Sequence, residues 1–158
     1  MRVSPQRPSK SLSASMQKRV GHVLSREDAD LIFQPRKTLE VKPVANMLPR
    51  GTIVTVFTDG ASVSSSDGNF YTKAEGQFEW LGCLEVDHRL LLGDDYLDRH
   101  CIPKDELQRL GRKWKTKRRF IYKFTSVVKF QEPKFLCSQK KLTEWFSFEP
   151  EALLLPQT

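Results

Sequence analysis

A chain of 158 residues with 39% hydrophobic and 28% charged residues has the composition of an ordinary globular domain, long enough to bury its own core. It has no run of about 18 apolar residues, which excludes a membrane-spanning helix, and no basic-then-apolar opening of the kind a secretory signal needs. The net charge of +7 is uneven: residues 1–20 hold Arg2, Arg7, Lys10, Lys18 and Arg19 and no acid, leaving +2 for the rest. Residues 84–106 carry seven acids, and residues 109–123 carry eight bases and no acid. Such segregation points to a polyanionic partner more than to a small neutral substrate. Cys83, Cys101 and Cys137 are scattered and form no Cys-x-x-Cys pair, as expected of a reduced, intracellular, cytoplasmic protein.

In chain order, residues 1–20 are rich in Ser, Pro and Lys/Arg and are expected to be disordered, since they cannot bury enough surface to offset their ordering entropy. Four readings stand open: a basic arm that tracks phosphates, a solvated leader, an upstream start with Met16 as the true one, or a transit peptide. The domain proper is placed at residues 21–148. Val20–Leu24 reads as a first strand. Ser25 reads as a helix cap, with Asp28 in capping-box spacing, and Pro35 ends that helix after Leu31, Ile32 and Phe33. Lys37–Lys42 alternates as a strand, with Leu39 and Val41 on one side and Thr38, Glu40 and Lys42 on the other. Gly51 leads into the β-branched strand Thr52–Thr58, and Asp59-Gly60 is a turn signal followed by a polar loop over 61–68. Phe70–Lys73 and Gln77–Val86 read as separate strands. Arg89–Leu97 reads as a loop with a helical turn. Pro103 starts a helix at its first position, with Leu107 and Leu110 buried and Gly111 as its stop. Phe120–Phe130 is a strand ended by Pro133, and Ser138–Trp145 is a last short helix. The tail 149–158 carries Leu153, Leu154 and Leu155, which either pack on the domain or make a protein contact. The sum is an α+β domain: at least four strands in a small, curved, partly closed mixed sheet, with two or three short helices.

Two polar stretches carry candidate chemistry. Arg36, Lys37, Thr38, Glu40 and Lys42 crowd one strand. Arg112, Lys113, Trp114, Lys115, Lys117, Arg118 and Arg119 form a basic strip around a ring, the mixture that single-stranded nucleic acid needs, with cations for phosphates and aromatic faces for bases. Phe120, Tyr122 and Phe124 read as core, and Trp114, flanked by charge, as exposed. The strip also matches a nuclear localisation signal. His88, His100, Cys101, Asp94 and Asp98 follow no common zinc spacing, so no metal and no cofactor is expected. No Ser-His-Asp arrangement and no P-loop appears.

The order of elements adds a resemblance. A short helix runs into Phe33-Gln34-Pro35-Arg36-Lys37-Thr38-Leu39-Glu40-Val41-Lys42 and then into a Gly-led strand. This is similar to the activating signal cointegrator homology (ASCH) family, whose signature is a helix, then Gly, Arg or Lys, Lys, Thr, a hydrophobic residue, Glu, a hydrophobic residue and Arg, then Gly-Asp and a strand. Leu81–Val86, Asp105-Glu106-Leu107 and Phe120–Val128 with Lys129–Pro133 sit where the family has its later elements, so the resemblance covers about residues 22–135. Pro35, Lys42 and Thr52 depart from the family's Gly, Arg and Asp. The resemblance implies a PUA-like β-barrel related to modules that bind RNA or modified bases. On that basis Lys37 and Lys42 are expected to contact phosphate, and Thr38 or Glu40 a base edge. A bacterial branch of the family hydrolyses acetylated cytidine and resembles a Lys/Thr/Glu site. Lys37 matches its lysine, but its threonine falls on Glu40 and its glutamate near Asp98–His100, where no Glu stands. The expected function is therefore nucleic-acid binding, RNA favoured over DNA, through a cleft around Arg36–Lys42 and the strip at 112–119. The alternative is an amidohydrolase acting on an acetylated cytidine-type nucleoside, with Lys37 in the catalytic role.

Overall fold

The computed structural model describes residues 19–64, 68–114 and 118–155. It is an α+β fold with one mixed sheet. Its strands are β1 (Arg19–Leu24), β2 (Leu39–Lys42), β3 (Ile53–Ser64), β4 (Phe70–Val86), β5 (Arg119–Ser138), β6 (Trp145–Phe148) and β7 (Leu153–Leu154). Their order is β2–β5–β4–β3–β1–β6, with β7 on β5. The described helices are α1 (Arg26–Phe33), α2 (His88–Leu91), α3 (Asp94–His100) and α4 (Lys104–Lys113). None is long and apolar enough to cross a membrane. The chain divides into two compact units, one formed by residues 1–25, 54–76 and 130–158, the other by residues 26–53 and 77–129.

In the first unit β1 lies parallel to β3, Val20 opposite Val54 through Leu24 opposite Thr58. On its other edge β1 is antiparallel to β6, Arg19 opposite Phe148 through His22 opposite Trp145. Phe57, Ala74, Leu136 and Phe148 form the core, with Phe146 packed against it. Burial of each large side chain stabilises the unit by roughly 1.5–3 kcal/mol. The Phe146 ring lies over Gly21, where a Cβ would come within 2.4 Å of it. Only a residue without a side chain permits that approach. Leu153 and Leu154 pair with Leu136 and Phe135, so this part of the tail adds a strand.

In the second unit Leu39 and Val41 project from β2 into a core with Ile121, Leu91 and Leu107. β2 is antiparallel to β5, Leu39 opposite Lys123 through Lys42 opposite Phe120. The Asp87 carboxylate caps α2 by accepting the Arg89 N–H at 2.8 Å. Asp94 and Asp95 open α3, where carboxylates suit the positive helix end. Cys101 closes α3 in the left-handed conformation, φ 61°.

Several expectations from sequence are corrected. Residues 88–100 form two helices instead of a loop with one turn, giving four described helices and not two or three. The Asp59-Gly60 turn does not form; β3 runs on to Ser64, as ladder pairing overrides a local turn preference. Residues 65–67 of the expected polar loop, and residues 1–18 of the basic tail, lie outside the described residues. Phe70–Lys73 and Gln77–Val86 belong to one strand. Pro103 precedes α4 as its cap residue, and α4 continues through Gly111 to Lys113. β5 passes Pro133, which a strand accepts where no N–H is required. Trp145 begins a strand, not the end of a helix, because β1 offers it a free edge.

Candidate functional site

The Arg36–Lys42 stretch is positioned from both sides of its backbone. The N–H groups of Arg36 and Lys37 both donate to the Leu31 carbonyl, at 3.0 and 3.1 Å, and turn the chain out of α1. The Thr38 N–H then donates to Arg99 O at 2.8 Å. The Lys37 ammonium donates to His100 O, and the Cys101 thiol to Arg36 O at 3.3 Å. Residues 36–38 are thus laced to residues 99–101, far away in sequence.

This lacing divides the cluster. Arg36 and Thr38 are exposed. Lys37 and Glu40 are only 2% and 3% exposed. The Lys37 Nζ lies 3.7 Å from Glu40 Oε1 and 3.9 Å from Asp28 Oδ1. The Lys42 Nζ lies 3.7 Å from Glu40 Oε2, with a fifth of its side chain exposed. Buried charges are tolerated only in such company, because desolvation of a lone one costs several kcal/mol. The strand expected at Lys37–Lys42 is confined to Leu39–Lys42, and Glu40 is enclosed where sequence alternation suggested a solvent face. Through the β2–β5 register Glu40 shares a face with Tyr122, and Lys42 with Phe120. The Trp80 ring lies 5.2 Å from Tyr122, and Phe78 stacks on Phe124 at 4.6 Å. The Tyr122 hydroxyl donates to Val44 O at 2.6 Å.

His100 is fully buried. Its Nδ1 accepts from the Ile102 N–H at 2.9 Å, so Nε2 carries the proton and donates to Leu91 O at 2.9 Å. Burial holds its pKa below the ordinary 6.5, and the Lys37 charge pushes the same way, against the Leu91 hydrogen bond. It serves as a neutral strut under the lacing. Among the described residues no group of three or more His, Cys, Asp or Glu side chains is placed to hold a metal ion.

Above the lacing lies an open depression of about 500 Å³, lined by Arg36, Leu97, Asp98, Cys101, Ile102, Pro103 and Lys104. Arg36 is the one residue of the sequence cluster that lines it. Lys104 carries no signal in the sequence, and Asp98 and Cys101 appear there only among side chains that match no common zinc spacing and in the stretch where the hydrolytic branch has its glutamate. They meet Arg36 because the left-handed turn at Cys101 ends α3 and sends the chain into α4.

The strip at 112–119 is also divided. Arg112 and Lys113 end α4 and are exposed. Trp114, expected to be exposed, is half-buried against the core of its unit, and the Arg119 guanidinium covers its ring at 5.2 Å. Arg119 is itself buried and donates to Arg118 O at 2.8 Å. Arg118 is exposed but forks onto Glu85 at 3.0 and 3.2 Å. That hydrogen bonding holds the Glu85 carboxyl below the usual range. Part of the basic strip is therefore matched by the acidic segment within one unit. Lys115 and Lys117 lie outside the described residues.

No family model and no curated protein matches this sequence. Solved structures do. A Tyr-to-Phe variant of an ASCH protein from Zymomonas mobilis superposes with a TM-score of 0.59 at 12% identity, over 86% of this chain and 94% of that one. A Ser-to-Ala variant gives 0.61 at 10% identity, over 85% and 90%. The unmutated ASCH protein from the same organism gives 0.59, again at 10% identity and the same coverage. The chain has the ASCH-type, PUA-like fold. The signature read from Phe33 to Lys42 thus occurs within an ASCH-type fold, running from the end of α1 through β2.

Proposed function

We propose that this ASCH-type fold is a nucleic-acid-binding module, with RNA favoured over DNA. The observation that carries the reading is the depression in which Arg36 and Lys104 converge from different elements. Neither side chain enters an ion pair among the described residues, whereas Arg26, Arg109 and Arg118 each hold a carboxylate. Cations left for solvent at the mouth of a cavity are what a phosphate backbone uses. Arg112 and Lys113, exposed at the end of α4, extend the same sign of charge. About four phosphate contacts on a single strand give a log–log salt slope near −3. The test is fluorescence anisotropy with single-stranded RNA between about 50 and 200 mM salt. A steep loss of affinity is expected, reduced in slope and alike for all sequences when Arg112 and Lys113 are replaced by Ala. A flat response rejects the reading.

One observation favours a second reading. The buried Lys37 amine lies 3.7 Å from a buried carboxylate, Glu40, on β2, whose Glu40 faces Tyr122. An amine and a carboxylate so placed can pass a proton to and from water. An amidohydrolase working this way releases acetate from an acetylated cytidine nucleoside and loses that turnover in E40Q. Turnover that is absent in the parent protein, or unchanged in E40Q, removes this reading.

A further inference from the structure

We infer that the depression between α3 and α4 is a ribonucleotide subsite in which Asp98 accepts a hydrogen bond from the ribose 2′-hydroxyl and so separates RNA from DNA. The inference deepens the nucleic-acid reading and rests on it. The volume of about 500 Å³ falls within the roughly 300–1,000 Å³ typical of small-ligand sites. Its lining sorts into three chemistries. Arg36 and Lys104 supply positive charge, Leu97, Ile102 and Pro103 an apolar wall, and Asp98 a single carboxylate. A ribonucleotide has three matching parts: a phosphate, a base face and donor hydroxyls.

The carboxylate decides the class of ligand. A site built for phosphate alone gains nothing from Asp98, which repels it. Among the described residues Asp98 makes no ion pair with Arg36 or Lys104 or any other base, although carboxylates elsewhere on the surface do: Asp30 with Arg26, Glu85 with Arg118, Glu106 with Arg109. The Cys101 N–H closes the last turn of α3 on Leu97 O at 3.0 Å, and Asp98, exposed on that turn, lines the cavity. A ribose hydroxyl supplies the donor that offsets the repulsion, and deoxyribose does not. The same carboxylate then favours RNA and disfavours DNA. A hydrogen bond to a charged acceptor is worth about tenfold or more in affinity.

The experiment measures binding of matched single-stranded RNA, DNA and 2′-O-methyl RNA of one sequence to the full chain and to D98A, D98N and R36A. The parent protein is expected to favour RNA over DNA by about tenfold or more, with 2′-O-methyl RNA behaving as DNA because its donor is blocked. D98A is expected to bring the RNA-to-DNA ratio close to one. D98N, which keeps an acceptor oxygen but loses the charge, is expected to retain part of the preference. R36A weakens RNA and DNA alike and leaves the ratio unchanged. An unchanged ratio in D98A, with both oligonucleotides still bound, overturns the inference and leaves the binding-module reading standing. If neither oligonucleotide binds the parent protein, the module reading fails, and the inference with it. Thermal melting of each variant checks that the exposed substitution leaves the fold intact.

Discussion

Arg119 shows how one side chain can look like a phosphate contact in the sequence and serve a structural purpose in the fold. It is buried, lies over Trp114 and fits against the bare backbone of Gly111, where a Cβ would come within 2.6 Å of its guanidinium. Gly111 is helical, so its usual cost of about 1 kcal/mol relative to Ala applies. The close approach of Arg119 is the compensation. G111A is therefore expected to change stability by less than about 0.5 kcal/mol, because the helix gain is offset by displacing Arg119 from the ring, a contact worth roughly 0.5–1 kcal/mol. In an R119A background the same change should yield close to the full helix gain of about 1 kcal/mol. A double-mutant cycle from urea unfolding measures the coupling; additive effects would show that the two residues do not share the space.

Among the elements, the contact between the start of β2 and the end of α3 positions the site. Thr38, Lys37 and Arg36 each reach residues 99–101 through a different hydrogen bond, and His100 supports that junction from beneath. The junction is pH-sensitive in a defined sense. The folded protein holds the His100 pKa below its ordinary 6.5, so between those two values the unfolded chain binds more protons. By linkage, the contribution of this residue is constant above about pH 7 and stability falls as the pH drops below 6.5. Protonation at Nδ1 also destroys the acceptor that the Ile102 N–H uses. Urea midpoints should be lower at pH 5.5 than at pH 7.5, and H100Q, though less stable at both, should flatten that difference. A midpoint that rises on acidification would reverse the sign of this argument.

At the scale of the whole molecule, the charge asymmetry read from composition resolves into two populations. Arg109 and Arg118 are neutralised locally by Glu106 and Glu85, so they add little to any long-range field. Arg36, Lys104 and Arg112 hold no carboxylate among the described residues. These are the positions at which salt dependence of binding should be felt. Net charge already subtracts such pairs and does not locate the remaining cations; the useful quantity is which bases hold no carboxylate.

The sequence alone showed a resemblance to the ASCH order of elements, and from its own residues it determined the helix before Pro35, the β2 strand with Leu39 and Val41 on one side, and the buried Phe120, Tyr122 and Phe124. These follow from short-range causes: a proline ending a helix, alternation along a strand, and the hydrophobic effect acting on aromatic side chains. Only the tertiary structure decided that Lys37 and Glu40 are enclosed while Arg36 stays open. It alone brought Asp98 and Lys104 to Arg36, and turned Arg119 inward over Gly111. Each of those outcomes depends on a partner far away in the chain, such as the carbonyl of His100 for Lys37 and the ring of Trp114 for Arg119. A charged side chain has no inward or outward preference of its own strong enough to be read locally; whether it is buried depends on whether the fold supplies an opposite charge or a carbonyl to receive it.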